Sequence, residues 1–304
     1  MDVFARLRRR RQRLSARARV AGVASAAHAA DLGPADPGAV ATLAPVHRHP
    51  AVPDPTAAAF FDVDNTLLRG ASIFWFARGL AAHDYFTTRD MVGFAWKQLK
   101  FRATSSEDPD DIASARDSAL AFVAGRRVDE IVTHGEQIYD ELLAARIWSG
   151  TRAFAQLHLD AGQRVYLVTA APVELARLLA RRLGLSGALG TVAETRNGVY
   201  TGRLVGDILH GRAKAEAIRA LAEREGLDLE RCVAYSDSIN DLPMLTAAGS
   251  AVAINPDPPL RRLARIRGWE VHDFRTGRRA ARYALPMAAA LAVSVGYAYH
   301  RRRR

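Results

Sequence analysis

The fold of this chain is decided by the stretch Asp62-Val63-Asp64-Asn65-Thr66, which directly follows an apolar run at residues 57–61. The run predicts a buried strand, so two carboxylates one residue apart would emerge at its carboxyl end. Like charges this close repel each other unless a cation lies between them, and Mg²⁺ is a hard cation that prefers oxygen ligands. Acid pairs also cap helices and solvate loops, so the stretch alone leaves a structural role open.

Three later segments favour a functional site over a structural role for this stretch. The apolar segment 164–168 ends at Thr169, Lys214 follows in a polar segment, and the apolar segment 232–235 leads into Ser236-Asp237-Ser238-Ile239-Asn240-Asp241. In an open parallel sheet, ligands bind in a crevice outside the carboxyl ends of the strands. These three strand ends are therefore expected to bring their polar groups together in one shared crevice.

In this order the four motifs resemble those of the haloacid dehalogenase superfamily of aspartate-nucleophile phosphatases, over residues 57–260. The chain looks most like the phosphoserine-phosphatase-like branch, subfamily IB. The resemblance implies an α/β core with a doubly wound parallel sheet of Rossmann type and a helical cap in the position called C1. It also implies a Mg²⁺-dependent phosphomonoesterase that acts on a small phosphorylated metabolite.

The resemblance implies a role for each matching residue. Asp62 would be the nucleophile that forms an aspartyl-phosphate, and Asp64 would serve first as general acid and then as general base. Thr169 and Lys214 would bind the phosphoryl oxygens. The predicted substrate contacts are Thr66, Ala170, Asn240 and, from the cap, Arg102. The predicted magnesium site comprises Asp62, Asp64 (through its carbonyl), Asp237 and Asp241, the last orienting Lys214 or metal-bound water.

Some residues depart from that branch. Its second motif usually has a serine followed by glycines, where this chain has Thr169-Ala170-Ala171, and its fourth motif has glycines at the positions of Ser236 and Ser238. The glutamate that would read the amino-acid part of phosphoserine corresponds to Ala71. Phosphoserine-like esters, histidinol phosphate, sugar phosphates and headgroup phosphates therefore stay open as substrates, and phosphomutase activity is less favoured. The rival hypothesis is a membrane-tethered regulatory or binding protein with a degenerate site.

The composition divides the chain into segments. Residues 1–50 are rich in Ala, Arg and Pro without a sustained apolar period, and are predicted to be disordered. Residues 51–70 and 151–282 are predicted to form the core, and the helical pattern at 71–150 the cap. Beyond residue 151 the predicted elements are helices 172–183, 212–225 and 242–248, strands 189–193, 231–236 and 250–254, and a hairpin turn at Asn197-Gly198.

The net charge of +11 is concentrated at the two ends. Residues 1–20 carry +7 and residues 261–304 carry +10, which leaves −6 for the middle of the chain. Basic ends favour anionic lipid or non-specific contact with nucleic acid, and no motif for specific nucleic-acid binding is present. The single cysteine, Cys232, cannot form an internal disulfide, which favours a reducing compartment and a cytoplasmic location. The oligomeric state is left open.

Residues 283–299 contain no charged side chain and are flanked by arginines on both sides. As a helix this segment would extend about 25 Å, slightly less than the ~30 Å hydrocarbon core of a bilayer. It is compatible with a membrane span or tail anchor, with a helix lying in the interface, or with a helix packed on the core. Residues 283–304 are thus a hydrophobic segment with an arginine tail.

Overall fold

A six-stranded sheet forms the centre of the computed structural model, which describes residues 3–29, 54–83, 85 and 124–275. The strand order is β3-β2-β1-β6-β7-β8, and every neighbouring pair is parallel. The strands are β1 (Ala58–Asp62), β2 (Arg164–Pro172), β3 (Gly187–Thr191), β6 (Val233–Ser236), β7 (Ser250–Ile254) and β8 (Glu270–His272). A separate antiparallel hairpin pairs β4 (Ala193–Arg196) with β5 (Val199–Leu204). The predicted doubly wound parallel sheet is confirmed.

Helices cover both faces of this sheet. They are α1 (Val3–Ala29), α2 (Ser72–Ala82), α3 (Val128–Ile138), α4 (Ser149–Asp160), α5 (Val173–Arg182), α6 (Arg212–Glu225), α7 (Leu242–Leu245) and α8 (Pro258–Arg267). Helices α2 to α5 contribute to the apolar core on one face, and α1, α6, α7 and α8 to the core on the other. Because β1 is buried on both sides, its sequence reads as a continuous apolar run rather than an alternation.

The side chains of β1 alternate between the two cores. Ala58 and Phe60 belong to one, and Ala59 and Phe61 to the other. The ring of Phe61 stacks on that of Tyr235 from β6, with centroids 4.1 Å apart. The chain leaves β1 for β2 and β3 on one side and later returns to β6, β7 and β8 on the other. The strand order therefore reverses beside β1, and this is where a doubly wound sheet opens a crevice.

The predicted disorder of residues 1–50 is wrong for residues 3–29, which form α1. This helix packs closely on α6: a Cβ atom added at Gly22 would lie 2.7 Å from the main-chain nitrogen of Ala217. Its buried face consists of small residues, whereas its larger apolar side chains Leu14, Val20 and Val23 are exposed. A face of alanine, glycine and serine gives no apolar period, so sequence periodicity did not detect this helix.

Most other predicted elements are found close to their expected places. Helix α6 has the predicted bounds, and the hairpin turn has positive φ at Asn197 (52°) and Gly198 (75°). Strand β3 begins and ends two residues earlier than predicted. The helix predicted at 242–248 begins at Leu242 but already ends at Leu245, and a 3₁₀ turn at Ile239–Asp241 precedes it. The fourth motif thus enters α7 through a tighter turn than an α-helix allows.

The described parts of residues 71–150 are helical, as expected. Between α3 and α4 lie a π-helical turn at Tyr139–Leu143 and a 3₁₀ turn at Ala144–Arg146. The division of the chain into a core and a cap stays a prediction. Arg102 and the segment 283–299 lie outside the described residues, and no helix among those described is long and apolar enough to cross a bilayer.

Replacing Gly22 by leucine is expected to lower the free energy of unfolding by about 1–3 kcal/mol, because the added side chain would collide with the main chain of α6. Urea denaturation measures this loss. Ala27→Leu is the matched control, since Ala27 lies on the exposed side of the same helix. Equal stability of the two variants would show that α1 does not pack on α6 in solution.

Candidate active site

The loop after β1 is held in place from two sides. Asn65 has a positive φ of 60°, and its side-chain oxygen accepts a hydrogen bond from the Gly70 amide at 3.1 Å. The carbonyl of Asn65 accepts from the side-chain amide of Asn255 at 2.9 Å. Asn255 is fully buried just after β7, and its own oxygen accepts from the amide of Phe274 at 2.8 Å. These bonds fix the loop that carries Asp62 and Asp64.

A buried lysine links the first and fourth motifs. Lys214, in the first turn of α6, donates to Asp62 Oδ1 at 2.5 Å and to Asp241 Oδ2 at 2.7 Å. The hydroxyl of Ser236 donates to the same oxygen of Asp241 at 2.8 Å. All four side chains are almost completely shielded from solvent. The structure thus brings together three residues that the sequence predicted as one site although they lie far apart along the chain.

Burial and mutual repulsion leave this site short of positive charge. Burial raises the pKa of Asp62 to about 7, against the lowering effect of Lys214 and with a further rise from Asp241. Burial, and next the charge of Asp62, raise the pKa of Asp237 to about 8. Burial alone would lower the pKa of Lys214, but Asp62 and Asp241 together raise it above its ordinary value. The lysine is therefore charged at neutral pH, and it bonds two carboxyl groups at once.

These groups fit a hard divalent cation. Asp62 and Asp237 are close enough for the charge of one to raise the pKa of the other, and oxygen donors suit Mg²⁺. Among the described residues, no three His, Cys, Asp or Glu side chains converge as a metal-binding group. The implied ligand set needs only two carboxylates, since its third donor is the main-chain carbonyl of Asp64. Asp241 bonds Lys214 and Ser236, so its contacts favour an orienting role over direct metal binding.

The second carboxylate of the first motif is positioned by the main chain. The amide of Ser72, at the start of α2, donates to Asp64 Oδ1 at 2.8 Å. Burial raises the pKa of Asp64, although hydrogen bonds from Ser72 oppose the rise. A carboxyl group with a raised pKa holds a proton more readily near neutral pH, as a general acid requires.

The other residues predicted to contact the phosphoryl group or the substrate differ in burial and in their hydrogen bonds. Thr169 is buried within β2, directly after Val168, where the regular pairing of the strand stops. Its hydroxyl oxygen accepts from the Ala171 amide at 3.1 Å, which leaves the hydroxyl hydrogen for another acceptor. The hydroxyl of Thr66 is buried without a partner in the described part of the chain. The Ala170 carbonyl accepts from Thr191 at 2.6 Å, within an irregular stretch of β2. Asn240 is exposed, and its side chain has no hydrogen bond among the described residues.

Two further residues support the site and were not predicted from the sequence. One is Asn255, described above. The other is Asp257, whose amide donates to the Asp237 carbonyl at 2.7 Å and whose carboxylate accepts from the amides of Ile239 at 3.0 Å and Leu260 at 2.7 Å. Asp257 caps α8 and holds the fourth motif at the same time. Its position directly before Pro258-Pro259 is a helix-start signal that could have identified it.

The two serines that replace glycines in the fourth motif have structural contacts. Besides bonding Asp241, the Ser236 hydroxyl accepts from the Ser238 amide at 3.2 Å. The Ser238 side chain accepts from the Asn240 amide at 3.3 Å and caps the 3₁₀ turn. These substitutions therefore stabilise the turn that places Asp237 and Asp241, and they do not indicate a decayed site.

The comparisons with known proteins agree with this geometry. A model of the haloacid dehalogenase-like hydrolase family matches residues 59–246, which is more than half of the chain. The chain is 60% identical over 250 residues to the putative hydrolase ML2424 of Mycobacterium leprae, covering 82% of this chain and 83% of that protein. It is 58% identical over 273 residues to phosphoserine phosphatase SerB1 of Mycobacterium tuberculosis (strain H37Rv), covering 90% of this chain and 87% of that one.

A solved structure supports the fold. The crystal structure of a protein of unknown function from Bordetella pertussis Tohama I is similar, with a TM-score of 0.64 and 29% identity, over 71% of this chain and 98% of that one. Together with the buried aspartate–lysine site, these findings define the class. The chain belongs to the haloacid dehalogenase-like hydrolase family, and within that family it is a phosphatase with phosphoserine-phosphatase-like character.

The raised pKa values predict that the metal-free protein loses stability as the pH rises. The pKa values of Asp62 and Asp237 lie near 7 and 8, against about 3.9 for an aspartate in an unfolded chain. Between about pH 4 and pH 8 the folded protein thus binds more protons than the unfolded chain, and its free energy of unfolding falls. Denaturation in EDTA at pH 5, 6.5 and 8 measures this slope.

Two variants test the origin of the slope. Asp237→Asn is expected to make it shallower, whereas Asp160→Asn, which changes an exposed aspartate on α4, should leave it unchanged. Adding Mg²⁺ at pH 8 should restore stability to the parent protein and less to Asp237→Asn. An unchanged slope in Asp237→Asn would contradict the assignment.

Proposed function

We propose that this phosphatase hydrolyses a small phosphomonoester with the help of Mg²⁺, through an aspartyl-phosphate on Asp62. The observation that carries the proposal is the hydrogen bond between Asp62 and the buried Lys214, which Asp241 holds from its other side. A carboxylate at the end of the central strand is thereby placed beside a fixed cation. A phosphoryl group that enters the crevice meets a nucleophile and a positive charge together.

The first step transfers the phosphoryl group. An oxygen of Asp62 attacks phosphorus, the bond between phosphorus and the ester oxygen breaks, and Asp64 donates its proton to that oxygen. Lys214 and the hydroxyl of Thr169 stabilise the charge on the phosphoryl oxygens. Mg²⁺, held by Asp62, Asp237 and the Asp64 carbonyl, would neutralise the charge that otherwise opposes attack of one anion on another.

The second step regenerates the enzyme. Asp64, now a carboxylate, accepts a proton from water while the water oxygen attacks phosphorus. The bond between phosphorus and Asp62 breaks, and inorganic phosphate is released. The Ser72 amide keeps the same oxygen of Asp64 in place through both steps. One carboxyl group thus serves as acid and then as base, as microscopic reversibility requires.

The substrate class rests on fewer observations. A relative that is 58% identical carries the name phosphoserine phosphatase, which supports a phosphoserine-like ester. Ala71 at the position of the amino-acid-reading glutamate argues against a phosphoserine specialist, so histidinol phosphate, a sugar phosphate or a headgroup phosphate are further candidate substrates. We propose a cytoplasmic enzyme, supported by the lone buried Cys232, with residues 283–299 as a candidate membrane contact.

The variant Asp62→Asn is expected to lower phosphate release by about 10⁴-fold or more, because the amide cannot attack phosphorus. The assay is phosphate release over a panel of phosphomonoesters with Mg²⁺. The parent protein, but not the variant, should also gain thermal stability from beryllium fluoride with Mg²⁺. The rival binding protein would show neither phosphate release nor this stabilisation, and full activity in the variant would refute the mechanism.

A leaving-group comparison tests Asp64. Asp64→Asn removes the proton donor, so hydrolysis of an alkyl phosphate should fall by about 10²–10⁴-fold. The fall should be much smaller for p-nitrophenyl phosphate, whose leaving group departs without a proton. Steady-state kcat/KM for the two esters gives the ratio. Equal losses for both esters would mean that Asp64 positions the loop and does not protonate the leaving oxygen.

A further inference from the structure

The two segments that join the core to the predicted cap run side by side next to the catalytic loop. They are residues 67–72 and residues 144–148. Leu68 and Ile147 pair as an antiparallel bridge. The Arg69 amide donates to the Arg146 carbonyl at 2.9 Å, and the Trp148 amide to the Leu67 carbonyl at 2.8 Å. These main-chain bonds hold Arg69 of the first segment beside Arg146 of the second.

Three arginines and two tryptophans gather around these segments, and we call them the arginine–tryptophan cluster: Arg69, Trp75, Arg78, Arg146 and Trp148. The guanidinium carbon of Arg146 lies 3.2 Å from the centre of the Trp75 ring, and that of Arg78 lies 5.6 Å from it. The guanidinium carbon of Arg69 lies 5.5 Å from the centre of the Trp148 ring. The ring faces orient the guanidinium groups and leave their N–H donors for other partners.

The positive charge of the cluster is unpaired in the described part of the chain. None of its three guanidinium groups bonds a carboxylate there: Arg69 donates to the carbonyls of Ala145 and Arg146, and Arg78 and Arg146 contact only the ring of Trp75. By contrast, Arg127, Arg181 and Arg203 each pair with an acid. The cluster thus gathers three guanidinium groups that bond no carboxylate in the described part of the chain.

Two N–H donors of the cluster are buried and have no acceptor among the described residues. They are Nε of Arg146 and Nε1 of Trp148, two residues apart on the second segment. A buried donor without a partner costs stability, and an acceptor supplied by a bound molecule, an ion or a water would remove that cost. Acceptors that satisfy a guanidinium and an indole N–H together are the oxygens of a carboxylate or phosphate.

The first segment is bonded directly to the catalytic loop. Its Gly70 amide binds the side chain of Asn65, and its Ser72 amide binds Asp64, the proton donor to the leaving oxygen. Trp75 lies against the same segment, because a Cβ added at Gly70 would be 3.2 Å from its indole nitrogen. The cluster therefore adjoins the side of the site toward which the leaving group of an ester extends. Ala71, between these two amides, offers no carboxylate to an ammonium group.

We propose that Arg69 and Arg146, oriented by Trp148 and Trp75, bind a second anionic group on the leaving part of the substrate. The proposal rests on the proposed function and defines its substrate class as phosphomonoesters with a carboxylate or a second phosphate near the ester oxygen. Guanidinium groups bind both anions in the same planar manner. The arginines act on binding, so their loss should raise KM more than it lowers kcat.

Three substrates on one carbon frame test the proposal: glycerol 3-phosphate, 3-phosphoglycerate and glycerol 1,3-bisphosphate. They carry a hydroxyl, a carboxylate and a phosphate at the same end. The parent enzyme is expected to show kcat/KM at least tenfold higher for one or both anionic esters, and the preferred one identifies the anion. Arg146→Gln and Arg69→Gln should each reduce this preference about tenfold or more. Arg265→Gln, which removes a charge from the exposed face of α8, should retain it.

The outcomes that overturn the proposal are separate from failure of the proposed function. No preference in the parent enzyme, or an equal loss on all three esters in both cluster variants, would overturn it and show a structural hinge. Phosphate release that does not depend on Asp62 would overturn the proposed function instead.

A binding experiment tests the proposal without turnover: 3-phosphoglycerate should raise the Tm of Asp62→Asn more than glycerol 3-phosphate does. Adding Arg146→Gln should remove that difference, and its persistence would contradict the proposal.

Discussion

The site depends on a lysine that is buried among carboxylates. Lys214 is 3% exposed, and each of its two charged hydrogen bonds reaches a different part of the chain. A buried charge is tolerated only with close partners, and removing one partner of such a group generally costs about 3–5 kcal/mol. Asp62 on β1, Lys214 on α6 and Asp241 before α7 are therefore bound into one unit. The sheet and its helices must hold these three elements in a fixed relation for the charges to be compensated.

The sheet topology keeps these three elements in a fixed relation at the point where the strand order reverses. Because β1 lies between β2 and β6 and all three strands are parallel, their carboxyl ends lie at the same edge of the sheet. Helix α6 follows the β4–β5 hairpin along the chain and leads into β6. Asn255 and Asp257, just beyond β7, then fix the first and fourth motifs by hydrogen bonds to their main chains. The catalytic loops are thus held largely by side chains that do not touch the reacting atoms, a supporting arrangement that active sites of this precision require.

The sequence predicted the parts of this arrangement that have a local signature. Asp62, Lys214 and Asp241 could be placed because their motifs follow the order seen in a known family, with apolar strand patterns before the first and the last of them. Asn255 and Asp257 could not, since their partners are main-chain groups far away in sequence. Helix α1 was missed for a related reason: its contact with α6 is made by Gly22 and small neighbours, and such contacts depend on backbone proximity rather than on an apolar period. Unpaired arginines such as Arg146 are likewise visible only once the chain is folded.

The residues that differ from the family pattern lie in two places, one in the fourth motif and one after the first motif. Ser236 and Ser238 differ from the family pattern, yet their hydroxyls support Asp241 and the turn that carries it, so the phosphoryl end of the site keeps its charge arrangement. Ala71 differs beside Asp64, between the two residues whose amides bond the loop after β1, and in the proposed mechanism this is the side of the leaving group. Attack on phosphorus needs the same groups for any ester, whereas recognition of the leaving group changes with the substrate. A phosphatase of this kind can therefore acquire a new substrate by replacing residues beside Asp64 while the buried lysine and its carboxylates stay as they are.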